Sequence, residues 1–204
     1  MKYEQISENC FNCATCPTPC DGVSKEIYLF ANDSAFSEHF ENELIAHINS
    51  SADFKARKTS VPECPDIEVM DKVSDAFSFY IEVKVQRRTF MSVEKILHES
   101  KLLPSETVAL NLSDLLRYFE MAEKTKLKIY VLWVLLNRPC ILGESDKSFY
   151  YSDTENLEKV YNIVKDKRSF RRKSGEGDVV NGEHKGVVVN YHFSLNELKE
   201  WKGF

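Results

Sequence analysis

The sequence of 204 residues contains no run of about 18 or more uncharged apolar residues, and its N-terminus lacks the basic-then-apolar order of a secretory signal. Neither a membrane span nor export is therefore expected, and a cytoplasmic location follows. Strong basicity is also missing. With a formal net charge of −5, the whole-molecule field does not favour a polyanion, so any contact with phosphates must use local basic patches and should be modest and salt-sensitive. Internal repeats and low-complexity tracts are absent. The five histidines form no ligand-like cluster, and His39 and His47, two helical turns apart, read as surface or flanking residues. At this length, with 43% hydrophobic content, one sizeable core is expected rather than two full domains.

Cysteine is scarce but concentrated. Four of six, Cys10, Cys13, Cys16 and Cys20, lie within eleven residues. That crowding suits a held metal better than disulfides between distant elements, and fits a reducing compartment. Residues 1–24, rich in Cys, Pro, Thr and Asn, read as a small metal knuckle, and residues 25–204 as the main domain. The run C-x2-C-x2-C-x3-C is that of bacterial ferredoxins holding [4Fe-4S] clusters, with Asp21 where proline usually follows; four thiolates around Zn²⁺ are the alternative. Cys64 and Cys140 read as small buried hydrophobes.

Asp33 or Ser34 can cap a helix running to about Asn49, with Phe36, Phe40, Leu44, Ile45 and Ile48 on one half of it. Glu41 falls inside that apolar arc, whereas Glu38 and Glu43 fall outside it. A carboxylate aimed inward must be paired, protonated or bound to a cation. Two strands are predicted next, over 66–70 and 78–85, separated by a polar turn and paired as a hairpin. Short and longer helices are expected over 91–98 and 113–124, the latter behind a Ser113 cap and carrying Leu115, Leu116 and Phe119. The run LKIYVLWVLL over 127–136 predicts a central strand buried on both faces and paired in parallel. A helix over 154–165, a strand over 186–193 and a final short helix complete an α/β domain with a mixed sheet.

Chemistry concentrates on the two hairpin strands. In SFYIEVKVQ, alternation puts Tyr80, Glu82, Lys84 and Gln86 on one face and apolar residues on the other. Asp66 and Glu68 similarly share a face. Pairing can bring Asp66 close to Glu82, and two converging carboxylates are what a hard cation such as Mg²⁺ takes from a protein. Such an ion lowers the pKa of water and neutralises charge on a phosphate, while Lys84 supplies a compact positive charge beside it. The bland alternative is that Glu82 and Lys84 decorate the solvent side of an edge strand.

Glu41, Pro65-Asp66 and Glu82-Val83-Lys84, in this order and spacing, resemble the PD-(D/E)XK nuclease superfamily; Glu41-Asn42-Glu43-Leu44-Ile45 and Tyr80-Ile81-Glu82-Val83-Lys84-Val85 look most like its Holliday-junction resolvase branch. The resemblance spans about residues 36–136. It implies a restriction-endonuclease-like mixed central sheet flanked by helices, Mg²⁺ or Mn²⁺ as cofactor, and hydrolysis of DNA phosphodiesters. It also implies roles: Glu41 as the helix acid near the metal, Asp66 and Glu82 as ligands, Lys84 as the catalytic lysine. Gln86 is a weaker candidate for a supporting or substrate contact. Some nucleases of this superfamily carry iron–sulfur clusters, and many dimerise, so a homodimer is expected.

Between Lys165 and Lys173, KDKRSFRRK carries six basic residues against one acid, with Phe170 interleaved. Lys167, Arg168, Arg171, Arg172 and Lys173, together with Arg87 and Arg88 after the site strand, are candidate DNA contacts. Two other functions stay open: a non-catalytic nucleic-acid-binding protein of the same fold, and a redox or metal-sensing module built on the N-terminal cysteines.

Overall fold

The computed structural model describes residues 3, 6, 30–87, 89–136, 138–142, 145–171, 179–180, 183–184 and 189–202. Its elements in order are α1 (Phe30–Ser50), β1 (Phe54–Lys58), β2 (Ile67–Asp71), β3 (Phe77–Gln86), α2 (Val93–Ile96), β4 (Thr107–Asn111), α3 (Leu112–Thr125), β5 (Lys128–Leu136), α4 (Pro139–Leu142), β6 (Lys147–Asp153), α5 (Thr154–Val164), β7 (Ser169–Arg171), β8 (Val179–Val180), β9 (Glu183–His184), β10 (Val189–Ser194) and β11 (Lys199–Trp201). Among the described residues no helix is long and apolar enough to cross a membrane.

Six strands form a mixed central sheet in the order β1-β2-β3-β5-β6-β11. β1, β2 and β3 are antiparallel neighbours, β3 and β5 pair in parallel, and β6 and β11 are again antiparallel. The parallel pairing expected of the apolar run is thus present. β5 is sandwiched because its alternate residues enter different cores. Val131, Trp133 and Leu135 pack with Leu115 and Phe119 of α3 and Leu157 and Val160 of α5. Leu132 and Val134 pack with Phe40 and Leu44 of α1 and with Ile67, Val69, Ile81 and Val83. Helices therefore cover both faces of the sheet, which is the α/β architecture expected of the sequence.

The β2–β3 hairpin forms because Asp71 organises its turn: one carboxylate oxygen accepts from the amides of Val73 (3.0 Å) and Ser74 (2.8 Å) and from the Ser74 hydroxyl (2.9 Å). These bonds hold the Asp71 carboxyl below the usual carboxylate range. A second, three-stranded antiparallel sheet, β4-β10-β7, packs Val108, Leu110, Tyr191 and Phe193 onto the core shared by α3 and α5. The Trp133 indole crosses between the sheets and donates to the Ala109 carbonyl at 2.9 Å.

Several expectations are corrected. α1 begins earlier, at Phe30, and Phe36 is 39% exposed rather than packed inward. The capping residue of α3 is Asn111, which bonds the Asp114 carboxylate rather than a free amide; its Leu116 is exposed and the inward position is taken by Tyr118. The predicted helix over 91–98 shortens to α2 and a 3-10 turn. After β10 comes a 3-10 turn at Leu195–Glu197 and then β11 instead of a final helix. Ser194 and Glu197 close a capping box there, which fixes one turn and no more. Cys140 is exposed, not buried.

Candidate active site

β2 and β3 position the acids. Ile67 lies opposite Ile81 and Glu68 opposite Tyr80, so one further step of the same register sets Asp66 opposite Glu82. The Val83 amide donates to an Asp66 carboxylate oxygen at 2.8 Å, tying the start of β2 to the middle of β3. Ile67, Val69, Ile81 and Val83 fill the α1 core. Asp66 and Glu82 therefore project toward the α3 side.

Glu82 is 3% exposed. One of its oxygens pairs with the Lys84 ammonium, two residues along the same strand face. The other accepts from the Tyr118 hydroxyl of α3 at 2.6 Å. Burial and the adjacent Glu82 charge push the Tyr118 phenol far above its ordinary pKa, so it stays a donor. For Lys84, burial works against the ammonium, but Glu82, with smaller contributions from Asp66 and Asp114, outweighs it and the pKa is raised. Lys84 is held charged.

Asp66 is the strained member of the group. Burial first, and then the Glu82 charge, push its carboxyl up to about 7, although the Val83 amide and Lys84 pull the other way. The Glu41 charge adds to the upward push. Glu41 itself, half-buried on α1, is reached by the Lys58 ammonium at 3.3 Å, which also bonds Glu38 at 2.9 Å. Glu41, Asp66, Glu82 and Lys84 therefore lie in one electrostatically coupled group. Lys58 pairs with Glu41 and Lys84 with Glu82, which leaves Asp66 as the acid of the three whose carboxylate has no lysine in contact with it.

Two hard carboxylates, Asp66 and Glu82, fit the donor chemistry of Mg²⁺ or Mn²⁺, which keep most of their coordination for water and phosphate. Among the described residues no three or more His, Cys, Asp or Glu side chains gather into a complete metal cage.

Other candidates fall elsewhere. Gln86 donates to the Ala109 carbonyl at 3.2 Å and accepts from the buried Arg138 at 3.2 Å, so it links the two sheets. The Arg87 guanidinium lies 4.3 Å from the centre of the Phe36 ring. Lys167 is exposed and 3.3 Å from Glu99, and Arg171 is exposed on β7. Arg168 departs from the expected basic surface. It is 4% exposed, its guanidinium donating to Glu197 at 2.7 Å and to the Tyr3 hydroxyl at 3.1 Å. Phe170 stacks on Phe90 with ring centres 5.3 Å apart and is not free to interleave with bases. Arg88, Arg172, Lys173, Cys10, Cys13, Cys16 and Cys20 lie outside the described residues.

Sequence reasoning missed Tyr118, Lys58 and Asp114. Tyr118 is four positions from Asp114 on α3, and its inward side was the one signal available. Lys58 sits in FKARK, where nothing marks one cation from the next.

Fold and site together define an α/β protein whose mixed sheet carries two carboxylates and a lysine on adjoining strands, with a helix closing over them. No protein-family model matches the sequence, and no curated protein does either. Among solved structures, the chain is similar to Hjc of Archaeoglobus fulgidus, a Holliday junction resolvase from an archaeal hyperthermophile, at 12% identity and a TM-score of 0.38, over 78% of this chain and 84% of that one. It is also similar to D212, a nuclease from a fusselovirus, at 10% identity and a TM-score of 0.42, over 83% of this chain and 86% of that one.

Proposed function

We propose that this chain is a metal-dependent DNA nuclease that hydrolyses phosphodiester bonds, with Asp66 and Glu82 holding Mg²⁺ or Mn²⁺. The observation that carries this reading is the facing pair Asp66 and Glu82 with Lys84 on the same face: two carboxylates converge in a sheltered place, where burial first and the Glu82 charge second raise the Asp66 carboxyl to about 7. When bound, the ion supplies acidification of water and neutralisation of charge at the phosphate. The residues do the rest. Lys84, kept protonated, serves as a fixed positive charge for the developing phosphorane rather than as a base. Tyr118 holds the orientation of Glu82, and Glu41 adds negative charge on the α1 side of Asp66. Lys167, Arg171 and Arg87 contribute phosphate contacts, and residues 25–204 act as one nuclease-like unit.

The test is cleavage of single-stranded, duplex and branched DNA with Mg²⁺ or Mn²⁺ by the wild type, Glu82→Ala and Lys84→Ala. Cutting by the wild type alone supports the assignment, and the preferred panel member gives the substrate class. If none cuts while all three bind DNA equally, the chain is a non-catalytic binder of the same fold. For Cys10, Cys13, Cys16 and Cys20 the proposal is a thiolate-held metal in a reducing compartment. Absorbance near about 400 nm that bleaches on reduction marks an iron–sulfur cluster, and a colourless, zinc-containing protein marks Zn²⁺.

A further inference from the structure

The register between β2 and β3 is regular from Ile67 to Val69, which faces Phe79, and then slips: Met70 faces Phe77, so that Ser78 is an extra residue. A slip of one reverses the face of every residue beyond it. Phe77 is thereby moved away from the α1 core, where alternation from Phe79 would have sent it, and onto the face that carries Tyr80, Glu82 and Lys84. There it meets Tyr80, the two rings nearly parallel at 16° with centres 6.2 Å apart. Phe77 remains 47% exposed.

We propose that Phe77 and Tyr80 form a stacking platform for an unpaired base of the DNA strand being cut. This inference rests on the nuclease reading of Asp66 and Glu82. Tyr80 precedes Glu82 by two residues on one strand face, about 7 Å along the strand. A phosphate at the carboxylates therefore leaves an adjoining base over the Tyr80–Phe77 pair. Across the sheet, Tyr80 faces Glu68 and Glu68 faces Arg57, whose side chain is 64% exposed while paired with Glu68. An exposed guanidinium one strand beyond the carboxylate row complements a phosphate backbone, and aromatic faces bind bases of any sequence once these are unstacked. A base still paired within a duplex does not offer its face. The platform therefore selects single-stranded DNA, or branched DNA with unpaired nucleotides at the cut.

The experiment uses the full chain with fluorescein-labelled short oligothymidine, an abasic strand of equal length and a blunt duplex, titrated in EDTA. Phe77→Ala should weaken oligothymidine binding about tenfold, leaving the abasic strand and the duplex unchanged, as loss of one base–aromatic stack requires. Phe77→Trp should keep the binding. Equal loss on the thymidine and abasic strands, or no loss on either, overturns the platform. So does a wild type that sediments as a dimer and dissociates in Phe77→Ala with oligonucleotide affinity unchanged, because the ring then serves self-association. The two readings separate cleanly. Base-dependent binding without metal-dependent cleavage sinks the nuclease and keeps the platform, whereas Glu82-dependent cleavage with base-independent binding does the reverse.

Discussion

Removing one hydroxyl from Tyr118 is the sharpest perturbation of the site. In Tyr118→Phe the ring, 2% exposed, keeps its packing while Glu82 loses the 2.6 Å bond to one of its two oxygens. The other oxygen keeps Lys84, so the carboxylate is held from one side only. A hydrogen bond to a charged group contributes about 1.5–3 kcal/mol, and Glu82, at 3% exposure, has little water to replace it. Urea unfolding in EDTA should show the variant less stable by about that amount. A second comparison separates a role in the site from a role in packing. A cation that binds only the folded protein stabilises it by RT ln(1 + [L]/Kd). Mg²⁺ should therefore raise the stability of the wild type more than that of Tyr118→Phe, since a loosely held Glu82 is the poorer ligand. If the variant loses no stability, or if Mg²⁺ stabilises both proteins equally, Tyr118 does not hold Glu82 for a metal.

Asp66 sets a pH dependence. Its folded pKa of about 7 lies above the ordinary 3.8, so its contribution to stability is full below 3.8 and is lost as pH rises through about 7. Asp66→Asn should be more stable than the wild type at pH 8 in EDTA and should flatten that part of the pH profile, measured by urea unfolding; an unchanged slope refutes the crowded pair. Mg²⁺ binding at pH 6 should release a proton from the wild type but not from Asp66→Asn, read by calorimetry in buffers of different ionisation enthalpy. Arg168→Met strands Glu197, 1% exposed, and should cost about 3–5 kcal/mol by thermal or urea unfolding. Lys167→Ala, on an exposed pair, should leave stability within about 1 kcal/mol while weakening DNA binding and reducing its salt dependence, read by titration at several salt concentrations.

The parts of the fold legible in the sequence were those with a strong period. The β2–β3 hairpin, α3, β5 and α5 carry a clear apolar rhythm, α1 a weaker one in which Phe40 and Leu44 are buried and Phe36 is exposed, and alternation alone put Glu82 and Lys84 on one face. β1, β4 and β6 were not seen. β1 reads FKARK, where only Ala56 enters a core, and its strand identity comes from pairing with β2. β11 is three residues whose partner, β6, lies about fifty positions upstream. The basic run after Lys165 misled for a related reason. In sequence its cations look equivalent, but Arg168 is drawn inside by Glu197, twenty-nine residues later. Tyr118 was invisible as a site residue because its partner is thirty-six positions away.

The parallel pairing of β3 with β5 has a kinetic side. The chain leaves β3 at Gln86 and returns at Lys128, and the crossover between them contains α3 with Tyr118. The β2–β3 hairpin, a local contact, can form early and already juxtapose Asp66 and Glu82. The carboxylate pair can gain its phenol partner only when α3 has docked, after a long loop has been closed at an entropic cost that the hairpin never meets. A chain that has formed the hairpin but not docked α3 thus carries its two acids side by side, with Lys84 on Glu82 and the Val83 amide on Asp66 but no phenol. Restraint of both Glu82 oxygens requires the completed crossover, and is therefore expected late in the folding of the molecule.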